Sequence, residues 1–169
     1  MDHRCGIALG SNLGDRLTQL RAARRAILAL PCIRIPWVQS AVYETEPIDC
    51  PPGSPAFLNA VIEVGITISP VQFLLETQAI EAALGRQRSG IRNEARPVDI
   101  DLLYCGEERF ATERLALPHP RLTERLFVVR PLSDIRPDLL LLGQRKSIAE
   151  LHTQLSDSSE QVCSFAREW

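Results

Sequence analysis

The sequence predicts a single α+β domain, and three observations carry that prediction. Apolar stretches of strand type alternate with stretches of helical spacing, in the order strand, helix, strand, strand, helix, strand. A length of 169 residues suits one substantial core, so residues 1–169 are read as one domain. The hydrophobic share of 45% and the charged share of 24% are ordinary for a globular protein.

The elements follow in order. Residues 4–10 form an apolar strand that ends at Gly10-Ser11-Asn12. Asp15 caps a helix whose apolar positions Leu17, Leu20, Ala23, Ile27 and Leu30 keep helical spacing, and Pro31 stops it. Residues 33–43 are rich in β-formers and read as one strand. The loop from Glu46 to Pro55 holds four prolines and a glycine in ten residues, a stiffness that suits a pocket wall. Residues 57–68 give the next strand. Ser69 then caps a helix with Pro70 at its first position, and Gly85 ends it. Residues 98–104 make a further strand, followed by short helices and turns. Residues 160–169 fit either an added strand or a frayed tail. This order is the ferredoxin-like βαββαβ pattern with additional C-terminal short helices and strands, and it leaves function open.

A net charge of −2 provides no general field for nucleic acid or an anionic membrane, so an anionic ligand must be held by local charge. The five cysteines are scattered without a C-x-x-C pair and read as reduced thiols of a cytoplasmic protein, with one stray disulfide as the lesser alternative. The apolar run Cys5–Leu9 is too short for a signal peptide or a membrane span.

Chemistry concentrates at Val98-Asp99-Ile100-Asp101-Leu102. Residues two apart on a strand share a face, so both carboxylates project together, about 6.5–7 Å apart. Such a pair can hold two Mg²⁺ ions roughly 3.5–4 Å from each other. Just upstream, residues 86–96 carry four arginines and one glutamate, a local charge of +3 in an acidic protein. Guanidinium groups match phosphate oxygens. Aspartates that hold metal, metal that holds phosphate, and arginines that take the remaining charge together describe a Mg²⁺–polyphosphate site. His119 sits between Pro118 and Pro120, near Arg114, Arg121 and Arg125. Neither a P-loop nor a protein-kinase glycine loop is present. Two rivals stay open on residues alone: a ferredoxin-like RNA-binding module, disfavoured by 5% aromatics and the acidic balance, and a metal-dependent nuclease or phosphatase.

Eight segments carry a resemblance: Ile7-Ala-Leu-Gly-Ser-Asn-Leu-Gly14, Tyr43-Glu-Thr-Glu-Pro47, Phe57-Leu-Asn-Ala-Val61, Gln78-Ala-Ile-Glu81, Leu84-Gly-Arg-Gln-Arg88, Asp99-Ile-Asp-Leu-Leu103, Leu117-Pro-His-Pro-Arg121 and Arg125-Leu-Phe-Val-Val129. In this order and spacing the chain resembles the 6-hydroxymethyl-7,8-dihydropterin pyrophosphokinases of folate biosynthesis, from Ile7 to about Leu139. The resemblance implies transfer of pyrophosphate from ATP to the pterin hydroxymethyl group, with two Mg²⁺ ions on Asp99 and Asp101. It also implies pterin binding by Phe57, Phe127, Asn59 and Thr45, and ATP contacts from Gln78, Glu81, Arg88, His119 and Arg125, with Arg114 added. Arg86 and Arg96 match loop arginines tied to the chemical step. A monomer acting on small molecules is expected, without nucleic-acid or membrane partners. One departure stands out: where many relatives carry Arg-Trp-Gly-Pro-Arg-Thr, this chain has Arg92-Asn93-Glu94-Ala95-Arg96-Pro97, so Asn93 replaces the loop tryptophan.

Overall fold

The computed structural model describes residues 3–87, 90 and 94–169. Arg88, Arg92 and Asn93, which the sequence singles out, lie outside them. The strands are β1 (His3–Ser11), β2 (Ile33–Gln39), β3 (Val42–Thr45), β4 (Phe57–Ile66), β5 (Asp99–Cys105), β6 (Phe110–Ala111), β7 (Ala116–Leu117) and β8 (Val162–Ala166). The helices are α1 (Arg16–Leu28), α2 (Pro70–Ala83), α3 (Leu126–Ile135) and α4 (Ile148–Ser156). The main sheet runs β5-β1-β4-β3-β8, with β2 also pairing β4. The pairings are antiparallel.

Alternation along the strands feeds two cores. Ile7 and Leu9 of β1, Leu58, Ala60, Ile62 and Val64 of β4, and Ile100 and Leu102 of β5 pack against Leu20, Ala23 and Ile27 of α1 and Phe73 of α2. On the other face, Val61 and Leu103 pack against Val128, Val129 and Leu132 of α3 and Ile148 and Leu151 of α4. The result is helices on both faces of one sheet. Asp15 caps α1, accepting from the Thr18 N–H, and Ser69 and Gln72 form a capping box at α2.

Two expectations change and one open alternative is decided. The strand read as 33–43 is two strands. β2 bulges between Arg34 and Val38, where Pro36 has no N–H to give, and pairing with β4 passes to β3 across Ser40. The Ser40 N–H donates to the Val61 carbonyl, and the Ser40 hydroxyl accepts from the Val61 N–H, both at 2.9 Å. At the C-terminus the added strand is present, since β8 pairs with β3. Finally, Cys5 and Cys105 stand opposite each other across β1 and β5, with Cα atoms 4.2 Å apart, and form a disulfide. The reading of five unpaired thiols therefore fails for this pair, because a separation of 100 residues hides the register that joins them.

Candidate active site

The site lies where β1, β4 and β5 present one end of their second face beneath α3. Asp99 and Asp101 project from β5 into a cavity of about 230 Å³ whose lining includes Thr45, Phe57, Asn59, Arg96, His119, Arg125 and Phe127. The period-two reading of the aspartates is borne out: Ile100 and Leu102 turn into the opposite core. A second cavity of about 260 Å³ runs along the open edge of β5, lined by Leu74, Thr112, Arg114, Leu115 and Pro120 among others. Asp101 and His119 line both cavities.

Charge is distributed unevenly across this wall. Arg86 forms ion pairs with both Glu81 and Asp99. Arg96 joins Asp99 at 3.0 Å and lies 5.4 Å from the centre of the Phe57 ring. Arg125 similarly covers Phe127 at 5.4 Å. Burial opposes the charge on Arg86, yet Asp99 and Glu81 outweigh it and its pKa is raised. Among the described residues no donor hydrogen-bonds Asp101. Burial, then the Asp99 and Glu81 carboxylates, push its pKa up to about 7. Burial and the flanking Arg125 and Arg121 lower the pKa of His119. Its Nδ1 accepts from the Arg121 N–H at 3.2 Å, so a neutral ring carries its proton on Nε2 as a donor.

Glu81 is buried, and its Oε1 accepts from the Ile100 N–H at 2.7 Å. It thereby holds the backbone between the two aspartates. Burial raises its pKa, against the Ile100 N–H and Arg86, which lower it. The Asn59 amide donates to Thr45 Oγ1 at 2.7 Å, fixing two side chains of one wall. Gly10 lies close beside them, since a Cβ there would come within 3.2 Å of Asn59 Oδ1.

The sequence-predicted residues are thus mostly gathered, with exceptions. Glu81 and Arg86 line neither cavity and reach the site through the Ile100 N–H and Asp99. Gln78 is exposed on α2 and lines neither cavity, one helical turn beyond Leu74, which does. Arg114 belongs to the second cavity only. Arg88 lies outside the described residues. Sequence reasoning missed Asn12. Its Oδ1 accepts from the Arg96 N–H at 2.9 Å, its own N–H donates to the Arg96 carbonyl, and its amide donates to the Pro55 carbonyl. The Gly-Ser-Asn turn signalled a strand end, and nothing local showed what it anchors. Ile48, Asp49 and Cys50, from the proline-rich loop, also line the cavity, as that loop's stiffness implied. Glu160, which lines it too, had no local signal at all.

A family model described as 7,8-dihydro-6-hydroxymethylpterin-pyrophosphokinase matches residues 6–137. The chain belongs to this family. Members similar to it include the 2-amino-4-hydroxy-6-hydroxymethyldihydropteridine pyrophosphokinase of Bacillus subtilis, 41% identical over 135 residues, which cover 80% of this chain and 79% of the relative. The enzyme of the same name from Methylorubrum extorquens is 39% identical over 150 residues, covering 88% and 93%. A folate synthesis bifunctional protein of Arabidopsis thaliana is 37% identical over 131 residues, which are 76% of this chain but only 26% of that protein. In fold, the chain superposes on Plasmodium falciparum HPPK-DHPS with a TM-score of 0.69 at 13% identity, covering 91% of this chain and 44% of that one. This pyrophosphokinase-family chain therefore has the family's ferredoxin-like α+β fold, and it spans under half of the two-enzyme chains. Among the described residues, no helix is long and apolar enough to cross a membrane.

Proposed function

We propose that the two adjoining cavities hold the two substrates of the family's reaction, pyrophosphoryl transfer from ATP to 6-hydroxymethyl-7,8-dihydropterin. The pterin lies between Phe57 and Phe127 in the cavity walled by Asn59 and Thr45. The nucleotide lies along the β5 edge, where Arg114 and His119 meet it. The observation that carries this reading is that Asp101 and His119 line both cavities. A carboxylate on the shared wall faces the point where an attacking hydroxyl and a polyphosphate would meet.

The residues present suit Mg²⁺. The Asp101 carboxylate has no hydrogen-bond donor among the described residues, and two hard oxygen ligands leave room for the waters and phosphate oxygens that Mg²⁺ retains. Asp99 and Asp101 would hold the metal, which supplies charge neutralisation to the phosphates and a lowered pKa to the attacking hydroxyl. The remaining work falls to this chain's own groups. The pterin hydroxyl oxygen bonds to the β-phosphorus of ATP, and the bond from that phosphorus to the α,β-bridging oxygen breaks, so AMP leaves and the hydroxyl proton is released. Arg86, Arg96 and Arg125 offset the phosphate charge. Arg96 Nε is buried and has no acceptor among the described residues, a vacancy that a phosphate oxygen fills. Neutral His119 donates from Nε2. Asn59, with one amide proton already given to Thr45, keeps Oδ1 and a second proton for the pterin edge. Gln78 and Arg88 complete the nucleotide contacts implied by the resemblance.

The enzyme is proposed to work as a cytoplasmic monomer on small molecules alone. Incubation with ATP, Mg²⁺ and hydroxymethyl-dihydropterin should release AMP only when the pterin is present. Release of ADP or phosphate instead would refute the reading.

A further inference from the structure

Helix α3 carries Arg125 at its N-cap and Phe127 in its first turn, and both line the cavity. An N-cap normally supplies a Ser, Thr, Asp or Asn oxygen to the first free N–H groups of the helix. Arg125 cannot do this, and it makes no side-chain cap bond. The cap comes instead from Glu160. Its Oε2 accepts from the Leu126 N–H at 3.1 Å, and its Oε1 accepts from the Phe127 N–H at 3.0 Å. A carboxylate there also meets the positive end of the helix dipole.

The same short segment reaches the opposite wall. Two residues after Glu160, Val162 pairs with Thr45 in the β3–β8 ladder. Residues 160–162 thus connect the strand carrying Thr45 to the turn carrying Phe127. The far end of α3 is independently tied to β3, since the Tyr43 hydroxyl donates to Asp134 at 2.7 Å. Glu160 is the tie at the end that faces the cavity, and it lies beyond residues 6–137, which the family model matches.

We infer that Glu160 is a positioning residue for the pterin: through the first turn of α3 it holds Phe127 at the spacing from the Thr45–Asn59 wall that a flat ring requires. The segment 160–162 is a strap across the cleft. This rests on the proposed placement of the pterin between Phe57 and Phe127.

Steady-state kinetics of E160A, E160Q and F127A test it. E160A should raise the pterin KM on the order of tenfold, the equivalent of losing a cap. The ATP KM and the kcat at saturating pterin should stay within about twofold of the parent, as expected when only pterin binding is lost. E160Q keeps one acceptor oxygen and should recover part of the loss; if E160A fails to fold, E160Q is compared with the parent directly. A folded Glu160 variant with an unchanged pterin KM overturns the inference, as does an equal rise in both KM values, which marks a general structural defect. F127A separates the two readings. If it raises the pterin KM while the Glu160 variants do not, only the strap is wrong. If F127A has no effect, the pterin placement and the strap both fall.

Discussion

Two arginine–carboxylate clusters lie on the same face of the sheet, at opposite ends, and they are built in opposite ways. At the end remote from the cavity, Glu63 is almost fully buried and accepts from Arg4 at 2.9 and 2.7 Å, from the Tyr104 hydroxyl at 2.5 Å and from Arg136 at 2.5 Å. Gly6 makes room for that cluster, since a Cβ there would enter the Tyr104 ring. Glu63 leaves no carboxylate oxygen unused. At the cavity end, Arg96 pairs with Asp99, Arg86 divides its charge between Asp99 and Glu81, and Asp101 lacks a hydrogen-bond donor among the described residues. A closed cluster holds elements together, whereas a carboxylate left without a hydrogen-bond donor among the described residues suits the metal role proposed for it.

Paired substitutions test that contrast most severely. Asp101→Ala should lower kcat/KM by about three orders of magnitude or more, the scale at which a metal ligand and its electrostatic role are lost. Without Mg²⁺ and nucleotide, its Tm should match or exceed that of the parent, because an uncompensated carboxylate is gone. A fall in Tm would show that Asp101 is structural. Glu63→Ala should do the reverse. Removing one partner of a buried pair costs about 3–5 kcal/mol, and the half-exposed Arg4 and Arg136 keep this case near the lower figure. Urea unfolding measures that loss, with kcat of the folded protein little changed.

A smaller effect sharpens the picture at the cavity end. Asn12→Ala frees the backbone of Arg96, and a misplacement of that kind should lower kcat about tenfold. Burst and steady-state measurements would locate the loss in the chemical step. The smallest effect concerns stability against pH. The folded pKa of His119 lies below its ordinary 6.5, so as pH falls through that value the unfolded chain binds the proton first. Stability from this group is therefore present above 6.5 and declines as pH drops toward the folded pKa. His119→Asn should flatten the acid side of a plot of Tm against pH, and an unchanged slope would remove His119 from that balance.

Much of this was legible in the sequence wherever a local rule decides. Strand periodicity put Asp99 and Asp101 on one face, and Asp15 and Ser69-Pro70 marked two helix starts. What stayed hidden depends on partners distant in sequence. Glu160 caps a helix that begins 34 residues earlier, Asn12 holds Arg96 across 84 residues, and Cys5 meets Cys105 across 100. No period or motif encodes such pairings, because they arise from tertiary packing and, for the cysteines, from the register of β1 against β5. The split of residues 33–43 was concealed for another reason: β-formers fill both halves, and the break follows from Pro36 and from the way β4 passes its pairing across Ser40.

The guanidinium groups on Asp99 act as resident counter-ions. On the proposed placement of metal at Asp99, a divalent ion arriving alone would have to displace them, so its affinity would be the difference between two ion pairings rather than the full attraction of a bare carboxylate. When polyphosphate arrives with it, the displaced arginines gain new anionic partners and the loss is recovered. Metal and nucleotide should each strengthen the binding of the other by the same factor, as linkage requires. On that placement the arginines change partners without leaving the site.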